Sequence, residues 1–230
     1  MASYINTIDI PEQESKEALA KAFAAALAKA VEWNLDADGV TVWASSSHEL
    51  GFRFGLDSAS RAYVIPMIVN SSGTTLGASA SYVYVIWAAQ CTYKLHWIKT
   101  SAGTLAFGIT DSSTVVPVLT TVIGKNEAGV WSGVHMSHAQ TSSNPLSILT
   151  TTQTGFKNLE VPPVNYVGCP LSMVRLPDII NGGMFADIYL VISTPVSSPS
   201  ALYYIGGKYY RPIKCNTTAQ NFPTLAIPVG

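Results

Sequence analysis

Charge is what this sequence has least of. Of its 230 residues, 13 are Lys or Arg and 14 are Asp or Glu, so 12% are charged, where about 25% is usual. A folded chain of this size exposes roughly 10,000 Å², and its formal charges are spread thinly over that surface. A net charge of −1 with a pI near 6.4 supplies no phosphate-neutralising face. That argues against nucleic acid as a specific partner.

Long apolar runs are missing too. The longest stretch free of Asp, Glu, Lys and Arg, Ala62 to Tyr93, is broken by Asn70-Ser71-Ser72-Gly73-Thr74-Thr75. The remaining runs, such as Val83 to Ala89, are too short for a transmembrane helix, so no membrane span is expected. The first residues show neither the basic segment nor the continuous apolar run of a secretory signal. Cysteine is scarce as well. Cys91, Cys169 and Cys215 are an odd number without metal-ligand spacing, so three free thiols of a reducing cell are expected rather than a disulfide framework.

Apolar residues make up 48% of the chain, which argues against disorder and allows a core. The length fits one large domain or two small ones. A weakly charged, near-neutral surface is poorly protected from self-association, and this is the first pointer to a subunit of an assembly.

One helix is expected near the start, over residues 11–32. Asp9 is placed as its cap, Pro11 suits the first turn, and Glu12, Glu14 and Glu17 favour the positive end. Leu19, Phe23, Ala26, Leu27, Ala30 and Val31 recur at the period of a helix and form one apolar stripe. The stripe is expected to be buried, either on the chain's own sheet or against a neighbouring subunit.

After Asp38-Gly39 the period changes to two. Strands are expected at Val40–Ala44, Phe52–Gly55, Ala62–Val69, Thr104–Ile109, Val115–Ile123, Val130–Met136, Leu146–Thr150, Val164–Gly168, Phe185–Ser193, Leu202–Ile205 and Lys208–Lys214. Ser81–Lys99 is too long for one strand and should break near Gln90-Cys91. The 13 prolines suit sheet edges and loops. The pattern predicts a mainly β chain, an antiparallel β-sandwich or barrel-like fold with one N-terminal amphipathic α-helix. Three stretches follow: a helical segment 1–35, a β-rich domain 36–160, and a C-terminal β unit 161–230, which is either separate or part of the same domain.

Residues that carry chemistry are sparse. His135 and His138 would point to opposite faces of a strand and cannot readily share a metal. There is no Gly-x-Ser-x-Gly elbow, and Gly51-Phe52-Arg53-Phe54-Gly55 has no lysine and precedes no helix, so it is no phosphate loop. Glu49, Asp57, Asp111, Glu127, Glu160, Asp178 and Asp187 are widely separated and read as loop and turn residues, although two could meet in the fold as a glycosidase pair. Trp43, Trp87, Trp97 and Trp131 with Tyr82, Tyr84 and Tyr93 suit a sandwich core better than a sugar platform. No catalytic residue, metal or cofactor is expected.

The sharpest local signal is Leu202 to Arg211. Gly206-Gly207 permits the positive φ values of a type I′ turn. The register then sets Ile205 opposite Lys208, Tyr204 opposite Tyr209, Tyr203 opposite Tyr210, and Leu202 opposite Arg211. One tyrosine pair should pack inward and the other face a partner. Phe23 and Leu27 on the helix, and Tyr203, Tyr204, Tyr209 and Tyr210 in the hairpin, are the candidates for assembly or partner contact.

A short leading helix followed by Ser/Thr/Gly-rich β structure with few charges resembles a bacteriophage virion protein, in particular a small tail, neck or baseplate component. The segments Phe185-Ala186-Asp187-Ile188-Tyr189-Leu190-Val191-Ile192 and Tyr203-Tyr204-Ile205-Gly206-Gly207-Lys208-Tyr209-Tyr210 are similar to C-terminal β-hairpins of prophage tail proteins. The resemblance implies a non-enzymatic structural subunit, made in the host cytoplasm and working in the virion. Its partners would be copies of itself, in a ring or similar homo-oligomer, and other virion proteins. A β-sandwich module that binds a glycan or receptor is the alternative, and a carbohydrate-active enzyme the third reading.

Overall fold

The computed structural model describes residues 6–44, 49–56, 58–60, 62–69, 83–84, 89–101, 103–111, 119–137, 146–149, 157–158, 173–178, 183–191, 202–213 and 224–229. In chain order the first elements are β1 (Asn6–Ile10), α1 (Lys16–Val31), β2 (Asn34–Leu35), β3 (Thr41–Trp43), β4 (Glu49–Leu56), β5 (Ala62–Val69) and β6 (Val83–Tyr84). Next come β7 (Tyr93–Lys99), β8 (Leu105–Asp111), β9 (Leu119–Lys125), β10 (Trp131–Ser137), β11 (Leu146–Leu149) and β12 (Lys157–Asn158). The last are β13 (Met173–Pro177), β14 (Met184–Val191), β15 (Tyr203–Ile205), β16 (Lys208–Ile213) and β17 (Thr224–Val229). Among the described residues the fold is mainly β, with antiparallel sheets and one short helix. The expected strand at Val164–Gly168 lies outside the described residues, as do Cys169, Cys215 and His138.

The helix is shorter than its sequence signals suggest. Its cap is Ser15, whose Oγ accepts from the Ala18 N–H at 3.1 Å, and not Asp9. Asn6–Ile10 is instead a strand that pairs antiparallel with β7 and sets Asp9 opposite Lys94, 3.2 Å away. A ladder of backbone hydrogen bonds outcompetes one capping interaction, so the acidic residues ahead of Ser15 never join the helix. At the other end Glu32 is left-handed at φ 58°, its N–H reaches the Ala28 carbonyl, and the Lys99 ammonium donates to the Val31 carbonyl at 2.7 Å. That cation sits where the helix dipole is negative.

The stripe rotates slightly from its expected position: Ala20, Ala24 and Ala28 are buried where Ala26 and Ala30 are only half-buried. Leu19, Phe23, Leu27 and Val31 are buried as expected. Of the two resting places left open, the chain's own core takes them, so Phe23 and Leu27 offer nothing to a neighbouring subunit. Phe23 stacks on Phe54 of β4 (6.4 Å between ring centres) and meets Tyr93 of β7 edge-on (5.5 Å). Phe52 of β4 meets Phe107 of β8 edge-on at 5.1 Å. The helix and two sheets therefore share one core.

Three antiparallel sheets are present among the described residues. The first runs β1-β7-β8-β9-β10-β11-β12, the second β2-β3-β4-β5-β6, and the third β13-β14-β17-β16-β15. The second is a simple meander, and the first is a meander with β1 added at its edge. Ser81–Lys99 does break: turn residues Ala89 and Gln90 separate β6 from β7. The third sheet draws only on residues 173–229 and touches the first where Asn126, just past β9, bridges Phe185 of β14.

Prolines do enter strands that have neighbours on both sides, contrary to a simple edge rule. Pro66 pairs with Phe52 of β4, but β6 reaches only Tyr63 and Val64. Pro212 pairs with Ala226 of β17, but β15 stops at Tyr210; Pro228 pairs with Tyr210, but β14 stops at Ala226. Among the described residues each of these prolines has a ladder partner on one side of its strand.

The β2–β3 connection is held by one carboxylate. Asp36 accepts from the Val40 and Thr41 N–H groups at 2.8 and 2.9 Å. Burial acts to raise its pKa, but the bonds from Thr41 and Val40 and the Arg53 charge together bring it below the ordinary value. On the first sheet His96 lies between Thr110 (Nε2 to Oγ1, 2.8 Å) and Thr7 (Nδ1 to Oγ1, 3.2 Å). Burial and the Lys94 charge lower its pKa, against a smaller opposing pull from Asp9.

For His96 the unfolded chain therefore binds a proton more readily than the folded one. Its share of stability is complete above about pH 6.5 and drains away as pH falls through the lowered folded value. Thermal melts between pH 8 and 5 should show this loss, and His96→Gln should flatten it. An unchanged acid slope in the variant would contradict the assignment.

Candidate functional site

The surface with the most chemistry is the C-terminal hairpin, β15 and β16. Its two-residue turn is Gly206-Gly207, at φ 55° and 85°. The pairing is Ile205 with Lys208, Tyr204 with Tyr209, and Tyr203 with Tyr210, the register expected from the turn. Nothing lies within 4 Å of a Cβ built on either glycine. A side chain there meets only backbone strain, so Gly207→Val should cost roughly 1–2 kcal/mol in urea unfolding. A neutral result would mean that the turn relaxes to another type.

The two tyrosine pairs divide as alternation demands. Tyr210 is 4% exposed and packs edge-on against Tyr189 of β14, 4.9 Å between ring centres. Its partner Tyr203 is half-buried, and burial raises its phenol pKa above the ordinary value. The other pair faces outward: Tyr204 is 63% and Tyr209 54% exposed, their rings 5.0 Å apart and tilted by 54°. Leu202, on the same strand face as Tyr204, is also exposed. The inner pair thus anchors the ribbon to the third sheet while the outer pair forms an apolar tip.

Beside the tip lies a cavity of about 210 Å³ between β14, the turn, β17 and the β7–β8 connection. Asp187 and Lys208 meet across it at 3.6 Å; the Asp187 side chain is 14% exposed and that of Lys208 60%. Asp187 lies mid-strand in β14, inside the strand expected at Phe185–Ser193, and a cation on β16 offsets its charge.

A second polar cluster joins the first and third sheets. Asn126 Nδ2 donates to Asp178 at 3.1 Å, and Asn126 Oδ1 accepts from the Ala128 and Val130 N–H groups at 3.0 and 2.9 Å. Arg175 donates to Glu127 and to the Phe185 carbonyl. These bonds tie the first sheet to the third, so the cluster is a joint. Asp178 and Glu127, both candidate acids in the sequence, are occupied in it.

The aromatic platform does not assemble from Trp43 and Tyr93, which are 4% and 3% exposed in the core, and Trp97 and Trp131 pack partly against that core. Trp87 and Tyr82 lie outside the described residues. Cys91 is a free thiol. Among the described residues no three His, Cys, Asp or Glu side chains gather as a metal site, and no helix is long and apolar enough to cross a membrane. No family model, curated protein or solved structure matches the chain.

Proposed function

We propose that the protein is a non-enzymatic structural subunit of a bacteriophage virion, a tail, neck or baseplate component that assembles with copies of itself and with other virion proteins. The observation that carries this reading is the outward tip of Leu202, Tyr204 and Tyr209 on a rigid hairpin. Exposed tyrosines in a chain with few charges are the usual centre of a binding patch. A stable contact needs about 800 Å² from each partner, so the tip would be the centre of a larger face.

The packing of Phe52 against Phe107, with α1 beside them, supports reading the first two sheets as layers of an antiparallel sandwich. Such a body suits a rigid building block. The test is composition: phage particles banded from a culture that makes this chain should contain it at a fixed copy number. Its absence from washed, intact particles would overturn the virion assignment.

A further inference from the structure

From the open edge of β15 we infer how copies of this chain meet: the hairpins pair strand to strand, β15 against β15 of a second copy, antiparallel about a two-fold axis through Tyr203. This rests on the self-assembly proposed above and names its contact.

Among the described residues β15 ends the third sheet and pairs with β16 alone. A bare edge offers backbone N–H and C=O groups to another strand, and native edges are blunted by charge, proline or shortness. The other described edges are blunted in these ways. β1 carries Asp9, β12 Lys157, and β13 Arg175 and Pro177, while β2 and β6 have two residues each. β15, with Leu202 before it, has neither charge nor proline.

The turn decides which groups point outward. A two-residue turn closes on a hydrogen-bonded pair, here Ile205 with Lys208. Alternation then directs the backbone groups of Tyr203 toward β16, and those of Tyr204 and Leu202 toward the open edge. A two-fold contact requires a patch that complements itself. With the axis at Tyr203, Leu202 lies opposite Tyr204 of the second copy, and Tyr204 opposite its Leu202, both as hydrogen-bonded pairs. Their side chains share the outer face, where Leu202 is 48% and Tyr204 63% exposed. Each apolar side chain thus covers its counterpart beside the Tyr209 ring, and no like charges meet on the paired strands. A strand of another protein would gain the same backbone bonds but not this reciprocal match.

The test is amide hydrogen exchange of the purified full chain, read residue by residue by NMR at two concentrations, with sedimentation alongside. As the heavier species grows, the N–H groups of Tyr204 and Leu202 should exchange more slowly, while those of Tyr203 and Ile205 should not change. Tyr204→Pro and Tyr204→Ala both lose the ring, but only the proline loses the outward N–H, so it should associate about tenfold more weakly than the alanine variant. Urea midpoints show that both are folded, and Leu202→Pro against Leu202→Ala makes the same comparison if Tyr204→Pro is not. A chain that stays monomeric, a heavier species whose Tyr204 N–H exchanges as in the monomer, full protection of that N–H already in the monomer, or equal association by the proline and alanine variants would each overturn the contact. None of these results bears on particle composition, so the two proposals fail separately.

Discussion

Phe23→Ala is expected to lower the unfolding free energy by about 3–5 kcal/mol. The ring is wholly buried and touches Phe54 of β4 and Tyr93 of β7. Those partners belong to different sheets, so the ring fills the core between them. The loss is large against a domain stability of about 5–15 kcal/mol. Urea unfolding followed by tryptophan fluorescence measures it. A loss below about 1 kcal/mol would mean that the helix does not seal the core between these sheets.

Asn126→Ala should come next, at about 3 kcal/mol. Its Oδ1 holds two backbone N–H groups of the β9–β10 turn, and its Nδ2 reaches the buried Asp178 carboxylate. Neutral bonds of this kind contribute about 1 kcal/mol each and one to a charged group about 1.5–3. The residue also ties the first sheet to the third through its bridge to Phe185. Asn126→Asp keeps the acceptor oxygens but sets a second carboxylate against Asp178, so it should be no milder. If Asn126→Ala unfolds at the wild-type midpoint, the joint contributes nothing to holding the sheets together.

What was legible in the sequence followed locality. The hairpin register could be read because Gly206-Gly207 fixes it within ten residues. The helix stripe could be read from its period, but its start could not. Asp9 and Pro11 carry the marks of a helix entrance, and only the distant β7 decides that Asn6–Ile10 is a strand. β13 and β17 were missed because short strands with proline carry weak alternation, and their places are set by β14 and β16. The sites were less legible than the fold. Asn126 and Asp178 are 52 residues apart and meet only across two sheets. Asp187, Lys208 and Ser101 share a cavity through no sequence pattern, whereas the split into one inward and one outward tyrosine pair followed from alternation on one turn, and which pair faces outward did not.

Sedimentation of the purified chain tests self-assembly most directly. The expected result is a concentration-dependent species heavier than 24.5 kDa, reverting toward that mass when Tyr204 and Tyr209 are both replaced by serine. A wild-type chain that stays at 24.5 kDa from about 1 to 100 µM, and makes no protein contact through this tip within an intact particle, would contradict the account.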